Sequence, residues 1–217
     1  GQVDSLAVIE GLWMINPDDV REIEDGDTFG NLEVDTIKDT SLILTNDGSI
    51  SLNSDDTQNV AEGMQFRTAD SDDLRFYLMK EYTEPGTYEV RGTVATGADS
   101  WSYENFAGFY YELDDNEGTE TLSVNQAVSD GDRSIDDGNL IYETNLTEVD
   151  YTADAFNDDD PTGFPIMGFF AEKYVPLTNT TPDNLARLVL DNDDKHTLRV
   201  GNSIDLGNGY ELTPQQI

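Results

Sequence analysis

The sequence contains no cysteine, one histidine and only 11 lysine or arginine residues among its 217 positions. The absence of cysteine excludes disulfides, thiol chemistry and cysteine-ligated metals. The single histidine, His196, provides little for a zinc site or a serine–histidine–aspartate triad, and we expect a solvated side chain at the start of a strand. No apolar run reaches the ~18 residues that a membrane-spanning helix needs, so we expect no direct membrane insertion in this segment.

Acidic residues are abundant by contrast, and 46 of them give the chain a formal net charge of -35. This charge repels nucleic acids and anionic membrane surfaces, so we expect neither as a partner. It attracts small cations, and its self-repulsion predicts that folding depends on salt or divalent ions. Adaptation to a salty habitat and an extracellular surface that filters by charge both explain such a composition.

Apolar and polar residues alternate along most of the chain, a pattern that buries one face of a β-strand and exposes the other. Two such runs contain Leu42/Leu44 and Ile50/Leu52, and the turn sequence Asn46-Asp47-Gly48 between them is a good hairpin signal. Many short strands separated by turns are typical of sandwiches and barrels. We therefore predict an all-β protein with two β-sandwich units joined by a short linker.

One short helix at most is predicted, within residues 181–190. Thr181 is a suitable helix cap and Pro182 suits the first helical turn. This helix would belong to the linker between the β units. The predicted division is part of a β-sandwich over 1–84, a central β-sandwich over 85–181, and the linker helix with the opening strands of a further sandwich over 182–217.

Aromatic residues make up 10% of the chain, which is too many for a disordered acidic tail. We expect four of them to contribute to the core of the central sandwich: Phe106, Phe109, Tyr111 and Phe170. A weak internal similarity between residues 26–34 and 201–212 is compatible with duplicated sandwiches. Strand-like runs at both ends lead us to expect part of a longer, repetitive protein.

Clusters of acidic residues offer oxygen ligands for hard cations. None matches the EF-hand pattern, so we expect weak binding of divalent cations and no other cofactor. The candidate ligands are Asp114, Asp115, Asp158, Asp159 and Asp193.

Two Asn-x-Ser/Thr sequons, which begin at Asn145 and Asn179, are candidate glycosylation sites. Glu112, which is flanked by Tyr111 and Leu113, and Glu172, which follows Phe170-Ala171, are the best-placed carboxylates for glycoside hydrolysis. We favour structural roles for both. Glu112 is expected on the wet face of a strand, and Glu172 in an ion pair with Lys173 or a cross-strand arginine.

The segment from Trp101 through Asn105-Phe106-Ala107-Gly108-Phe109-Tyr110-Tyr111 resembles the central motif of the duplicated surface-layer domain of methanogenic archaea. The segment Gly168-Phe169-Phe170-Ala171-Glu172-Lys173-Tyr174 resembles that family's Gly-Phe-x-Ala-Glu-Lys-Tyr signature. The resemblance covers most of the chain. The order departs from a complete repeat, because strands similar to the later part of the second sandwich come first and its opening comes last.

The resemblance implies a pair of β-sandwiches per repeat, assembled edge to edge in a glycosylated two-dimensional lattice with acidic pores. The chain would then be a structural subunit of an archaeal surface layer, extracellular and located on the cell surface. Its partners would be copies of itself, and no catalytic residues come with the family. A porous acidic coat of this kind would be a charge- and size-selective barrier.

Two other functions remain open. An extracellular carbohydrate-binding β-sandwich would present an exposed aromatic platform, for which the candidates are Trp101, Tyr103, Tyr110 and Tyr111. Burial of these rings would argue against it. A hydrolase would need a concave pocket that contains a carboxyl with a strongly raised pKa.

Overall fold

The computed structural model describes residues 6–83, 86–113, 115–150, 163–177, 181–207 and 209–215. Within these ranges the regular structure is all β and contains no helix. This confirms the predicted fold class. The strands, in chain order, are β1 (Leu6–Glu22), β2 (Thr28–Phe29), β3 (Leu32–Ile37), β4 (Ser41–Asn46), β5 (Ile50–Ser51), β6 (Thr57–Ala61), β7 (Met64–Thr68), β8 (Phe76–Tyr82), β9 (Tyr88–Ala95), β10 (Ser100–Ser102), β11 (Glu120–Val124), β12 (Ser134–Ile135), β13 (Leu140–Asn145), β14 (Thr147–Asp150), β15 (Gly163–Phe169), β16 (Glu172–Pro176), β17 (Asn184–Arg199), β18 (Ile204–Gly207) and β19 (Tyr210–Leu212).

Two antiparallel sheets form the main sandwich. One has the strand order β10-β11-β13-β4-β3-β2, and the other has the order β6-β7-β8-β9. The indole of Trp101 on β10 packs against Phe66 and Phe76 of the second sheet, with ring centroids 5.4 and 5.9 Å apart. All three side chains are buried, and they belong to one continuous apolar core.

A third sheet, with the order β1-β17-β16-β15-β14, contacts the same core through the turn between β15 and β16. Phe170 in this turn stacks on Tyr142 of β13 at 4.7 Å. Phe169, at the end of β15, meets Phe29 of β2 edge to face at 5.2 Å. The aromatic rings thus join the third sheet to the six-stranded sheet.

The period-two pattern is borne out in these sheets. Leu42 and Leu44 of β4 are buried, as are Leu122 and Val124 of β11. Because side chains alternate between the faces of a strand, these apolar pairs reach the core while the residues between them face outward.

The predicted helix within residues 181–190 is wrong. Residues from Asn184 onward form β17, in which Leu185 lies opposite Arg21 of β1 and Pro176 of β16. The Thr181 hydroxyl donates to the Asp183 carboxylate instead of capping a helix. Pairing with strands on both sides supplies the backbone hydrogen bonds and buries Leu185 and Ala186, which outweighs a weak local helix preference.

Strand pairing connects residues on both sides of position 84. β13 pairs with β4 along five residue pairs, including Tyr142 with Leu44. β12 pairs in the same way with β5. The division of the chain into 1–84, 85–181 and 182–217 stays a prediction.

Three of the four predicted core aromatics are buried, and one is not. Phe106, Phe109 and Phe170 are at most 5% exposed, which confirms their place in the core. Tyr111 is 37% exposed, so its assignment was wrong. Its ring stacks on Tyr103 at 5.0 Å and its hydroxyl donates to Asn116, because the segment after Phe109 leaves the core and forms a loop.

We expect Phe109→Ala to lower the free energy of unfolding by about 3–5 kcal/mol, because it removes a buried ring from the core. Tyr111→Ala is the matched control, since it truncates an aromatic ring two positions away at an exposed site. Its cost should not exceed about 1.5 kcal/mol, the scale of one aromatic pair. Urea denaturation of both variants measures the difference, and equal costs would contradict the assignment of the two rings.

Candidate functional site: a buried polar junction beneath an acidic surface

The carboxylate of Glu120 lies at the meeting point of three sheets. Glu120 is on β11 and is 1% exposed. Its Oε1 accepts hydrogen bonds from the hydroxyl of Tyr142, at 2.8 Å, and from the backbone N–H of Ala171, at 2.9 Å. Its Oε2 accepts from the backbone N–H of Tyr110 at 2.8 Å. Burial raises the pKa of Glu120, and these three donors and the nearby charge of Lys80 oppose that rise.

The turn that Glu120 holds is strained. Phe170 and Ala171 have φ angles of 49° and 73°, in the left-handed region that glycine adopts most easily. Glu120 binds the N–H of Ala171, and the Tyr142 hydroxyl accepts from the N–H of Phe170 at 3.0 Å. Two side chains of the six-stranded sheet therefore satisfy the backbone of this turn, which supports a conformation that costs energy in isolation.

Two threonine side chains bind the backbone of β15 just before the turn between β15 and β16. The N–H of Gly168 donates to Thr119 Oγ1 at 2.9 Å, and the Gly168 carbonyl accepts from Thr144 Oγ1 at 2.6 Å. A Cβ atom at Gly168 would lie 2.8 Å from the carboxylate of Glu120, so only glycine permits this close approach.

Lys80 brings the four-stranded sheet into the same junction. This residue of β8 is 8% exposed, and its Nζ donates to the Phe170 carbonyl at 2.7 Å. Burial lowers the pKa of Lys80, while the negative charge of Glu120 opposes the change. The junction is thus a buried polar network with one anion and one cation, and each contacts the turn between β15 and β16.

Glu112 and Glu172, the two candidate carboxylates for hydrolysis, both contact cations. Arg187 of β17 donates to Glu172 at 2.7 Å, which confirms the expected cross-strand arginine. Glu112 is not on the wet face of a strand as we predicted. It is half-buried and pairs with Lys173 at 3.0 Å, because the loop after Phe109 folds over β16.

The five candidate cation ligands do not form a described site. Asp114, Asp158 and Asp159 lie outside the described residues. Asp193 lies within β17, and Asp115 is a half-buried loop residue. In the part of the chain that the structure describes, no group of three or more acidic or histidine side chains could hold a metal ion. Weak cation binding stays a prediction.

Asn145 is exposed at the end of β13, and only Leu146 separates it from β14. An exposed asparagine is accessible to modification, which is compatible with glycosylation. Glycosylation of Asn145 stays a prediction. The other sequon asparagine, Asn179, lies outside the described residues.

The prediction of a solvated His196 at a strand start is wrong. His196 lies inside β17, opposite Ile9 of β1, and is half-buried. Its Nε2 atom is buried without a hydrogen-bond partner among the described residues. The reason is that β17 begins 12 residues earlier, at Asn184, where the helix had been expected.

Sequence reasoning missed the central junction, although one signal for it was present. Glu120 has the same parity as Leu122 and Val124, so strand alternation places its side chain on the buried face of β11. An acidic residue at an inward position indicates a buried network with partners elsewhere in the chain. No local pattern identifies Lys80 or Ala171 as those partners.

We expect Glu120→Gln to lower the free energy of unfolding by about 2–4 kcal/mol, since an amide N–H₂ would replace an oxygen that accepts from a donor and the buried Lys80 would lose the attraction of one nearby negative charge. Glu148→Gln, an exposed substitution on β14, is the control and should stay within about 0.5 kcal/mol. Urea denaturation at neutral pH measures both. A small effect at Glu120 would show that the junction adds little to stability.

Comparison with known proteins identifies the family. A family model described as S-layer protein matches residues 1–70 and 90–217. The major S-layer protein of Methanosarcina barkeri is 49% identical over 220 residues, which cover 100% of this chain and 32% of the relative. Those of Methanosarcina acetivorans and Methanosarcina mazei are 47% and 46% identical, again over 100% of this chain and 32% of theirs.

The chain therefore spans about a third of the length of the curated relatives that it matches. Within the described ranges, no helical segment has the length and apolar character that a bilayer crossing requires. The match covers most of the chain, including the aromatic motif around Phe109 and the turn held by Glu120. The chain belongs to the S-layer protein family.

Proposed function

We propose that this chain is a structural subunit of an archaeal surface layer, located outside the cell and assembled with copies of itself into a two-dimensional lattice. The family match over residues 1–70 and 90–217 carries the proposal. The all-β architecture supports it, because the described sheets pack on one shared core or pair within a hairpin. The protein works as a building block without catalytic activity.

The acidic surface gives the lattice its selectivity. A net charge of -35 on each copy lines the pores of a lattice with carboxylates. A negatively charged pore attracts cations and repels anions over a Debye length of about 8 Å at physiological ionic strength. Pores not much wider than that length would select solutes by charge as well as by size.

The contacts of the candidate residues favour this function over the two alternatives. A sugar-binding platform requires exposed, aligned rings, but Trp101 is fully buried and the Tyr103–Tyr111 stack covers part of each ring. A hydrolase requires an accessible acid with a raised pKa. Burial raises the pKa of Glu120, but this side chain is inaccessible and its oxygens are bound by protein donors.

Stability should rise with salt, because added ions screen the repulsion among the 46 acidic residues. We expect the melting temperature at neutral pH to increase from low to high sodium chloride, and to increase further with magnesium or calcium. Thermal unfolding followed by circular dichroism measures this. A melting temperature independent of all three ions would contradict it.

The proposed function is tested by permeation through reconstituted sheets of the protein in its full natural length. Anionic and cationic probes of equal size should cross at different rates at low salt and at converging rates at high salt. If the anionic and cationic probes cross at equal rates at every salt concentration, the sheet is a scaffold without charge selectivity. Failure of the full-length protein to form sheets would contradict the surface-layer role.

A further inference from the structure

The outer face of the four-stranded sheet contains two arginines without acidic partners. Arg67 on β7 and Arg75, immediately before β8, are exposed. The side chain of Arg67 forms no hydrogen bond or ion pair with any residue that the structure describes, and among those residues the side chain of Arg75 donates only to the Ser71 hydroxyl. In a chain with 46 acidic and 11 basic residues, a surface arginine that forms no ion pair with a carboxylate is unexpected.

Other described cations are mostly engaged. Arg21, Arg91, Arg133, Lys173 and Arg187 each form an ion pair with a carboxylate. Lys80 is buried against the turn between β15 and β16. Among the described cations with no such partner, Lys38 lies alone in an exposed turn, whereas Arg67 and Arg75 line the same cavity.

This cavity has a volume of about 340 Å³ and combines the arginines with apolar surface. Tyr77 and Val94, which face each other across β8 and β9, contribute to its wall, and Val94 is 59% exposed. The cavity also contains Asp55 and Asp70, so its side chains sum to no net charge. Neither aspartate forms an ion pair with the arginines in the described part of the chain.

A cavity with no net charge, whose two guanidinium groups form no ion pair with a described carboxylate, repels another acidic molecule less than a purely acidic surface does. Two copies that each carry a charge of -35 repel each other over most of their surfaces. A guanidinium can bind a carboxylate through two parallel hydrogen bonds, and the exposed Val94 and Tyr77 provide apolar contact beside it. An acidic turn of a second copy can therefore pair with these guanidinium groups at a place where the lining side chains carry no net negative charge.

We infer that the cavity lined by Arg67 and Arg75 is a docking site for an acidic segment of a second copy of this chain. The inference rests on the proposed lattice function and deepens it by naming one contact surface. The contact joins two different surfaces of the same protein, so it is heterologous. Heterologous contacts form rings or extended assemblies and do not close as a dimer, which is compatible with a lattice.

Charge reversal in the full-length protein tests the docking site. Arg67→Glu and Arg75→Glu should each raise the protein concentration for half-maximal sheet assembly by at least about tenfold, because a repulsive pair replaces an attractive one. Lys38→Glu is the matched control, since it makes the same charge change at an exposed cation outside the cavity, and its effect should be below about twofold. Light scattering and electron microscopy measure assembly.

A photo-crosslinking amino acid at position 94 identifies the occupant. We expect cross-links, read by mass spectrometry, from position 94 to an acidic segment of another copy within assembled sheets. The absence of any cross-link to another copy, or cross-links only to glycan or to a different protein, would overturn the inference. Equal assembly of the wild-type, Arg67→Glu, Arg75→Glu and Lys38→Glu proteins would overturn it as well.

The outcomes separate this inference from the proposed function. If the wild-type protein forms no sheets, the lattice function fails. If all variants form sheets equally well, the lattice function stands and the docking site fails. Melting temperatures show whether the glutamate variants fold. Should either be unfolded, Arg67→Gln and Arg75→Gln replace them, and assembly of both at the wild-type concentration would overturn the inference.

Discussion

The hydrogen bond between Glu120 and Ala171 joins parts of the molecule that no single sheet connects. Glu120 belongs to the six-stranded sheet, and Ala171 lies in the turn of the sheet that contains β15 and β16. The same turn accepts a hydrogen bond from Lys80 of the four-stranded sheet. Loss of the carboxylate would leave the strained turn without one of its hydrogen-bond acceptors and remove one of the negative charges that act on the buried Lys80, so the packing of the three sheets depends on it.

Polar and apolar contacts act together at this junction. Phe169 and Phe170 pack against Phe29 and Tyr142, while the backbone N–H groups of Phe170 and Ala171 donate to side chains of β13 and β11. The aromatic rings provide most of the buried area, but they are non-directional. The hydrogen bonds fix one geometry for the turn, which a purely apolar contact would not.

The few basic side chains of this chain determine how charge is distributed over its surface. Most described basic side chains lie in ion pairs or in the buried junction, where each offsets a carboxylate. The remaining surface is dominated by acids, which suits a hydrated coat and opposes contact between copies. A face that keeps Arg67 and Arg75 without acidic partners therefore differs from the rest of the surface and is suited to assembly.

Local pattern was sufficient for the strands and for part of the core. Alternation at Leu42/Leu44 and Leu122/Val124 indicated which residues face inward, and those residues are buried. The arginine partner of Glu172 was also foreseeable, because one charge on a strand surface favours its opposite on a neighbour. Local pattern failed at residues 181–190, where a threonine and a proline predicted the start of a helix. Residues from Asn184 onward form β17 instead, because this segment pairs with β1 on one side and with β16 on the other.

Composition and the period-two alternation of the strands were enough to predict the all-β class and the acidic surface. The aromatic motif indicated that Phe106 and Phe109 are buried, although both lie outside the strands, where alternation does not apply. Only the tertiary structure decided that Glu120, Lys80 and Ala171 meet, and that Tyr111 leaves the core. It also placed Arg67 and Arg75 in one cavity. The physical reason is that a strand's own pattern specifies which face is buried, whereas the partners on that face come from distant strands whose pairing is set by the packing of the whole chain.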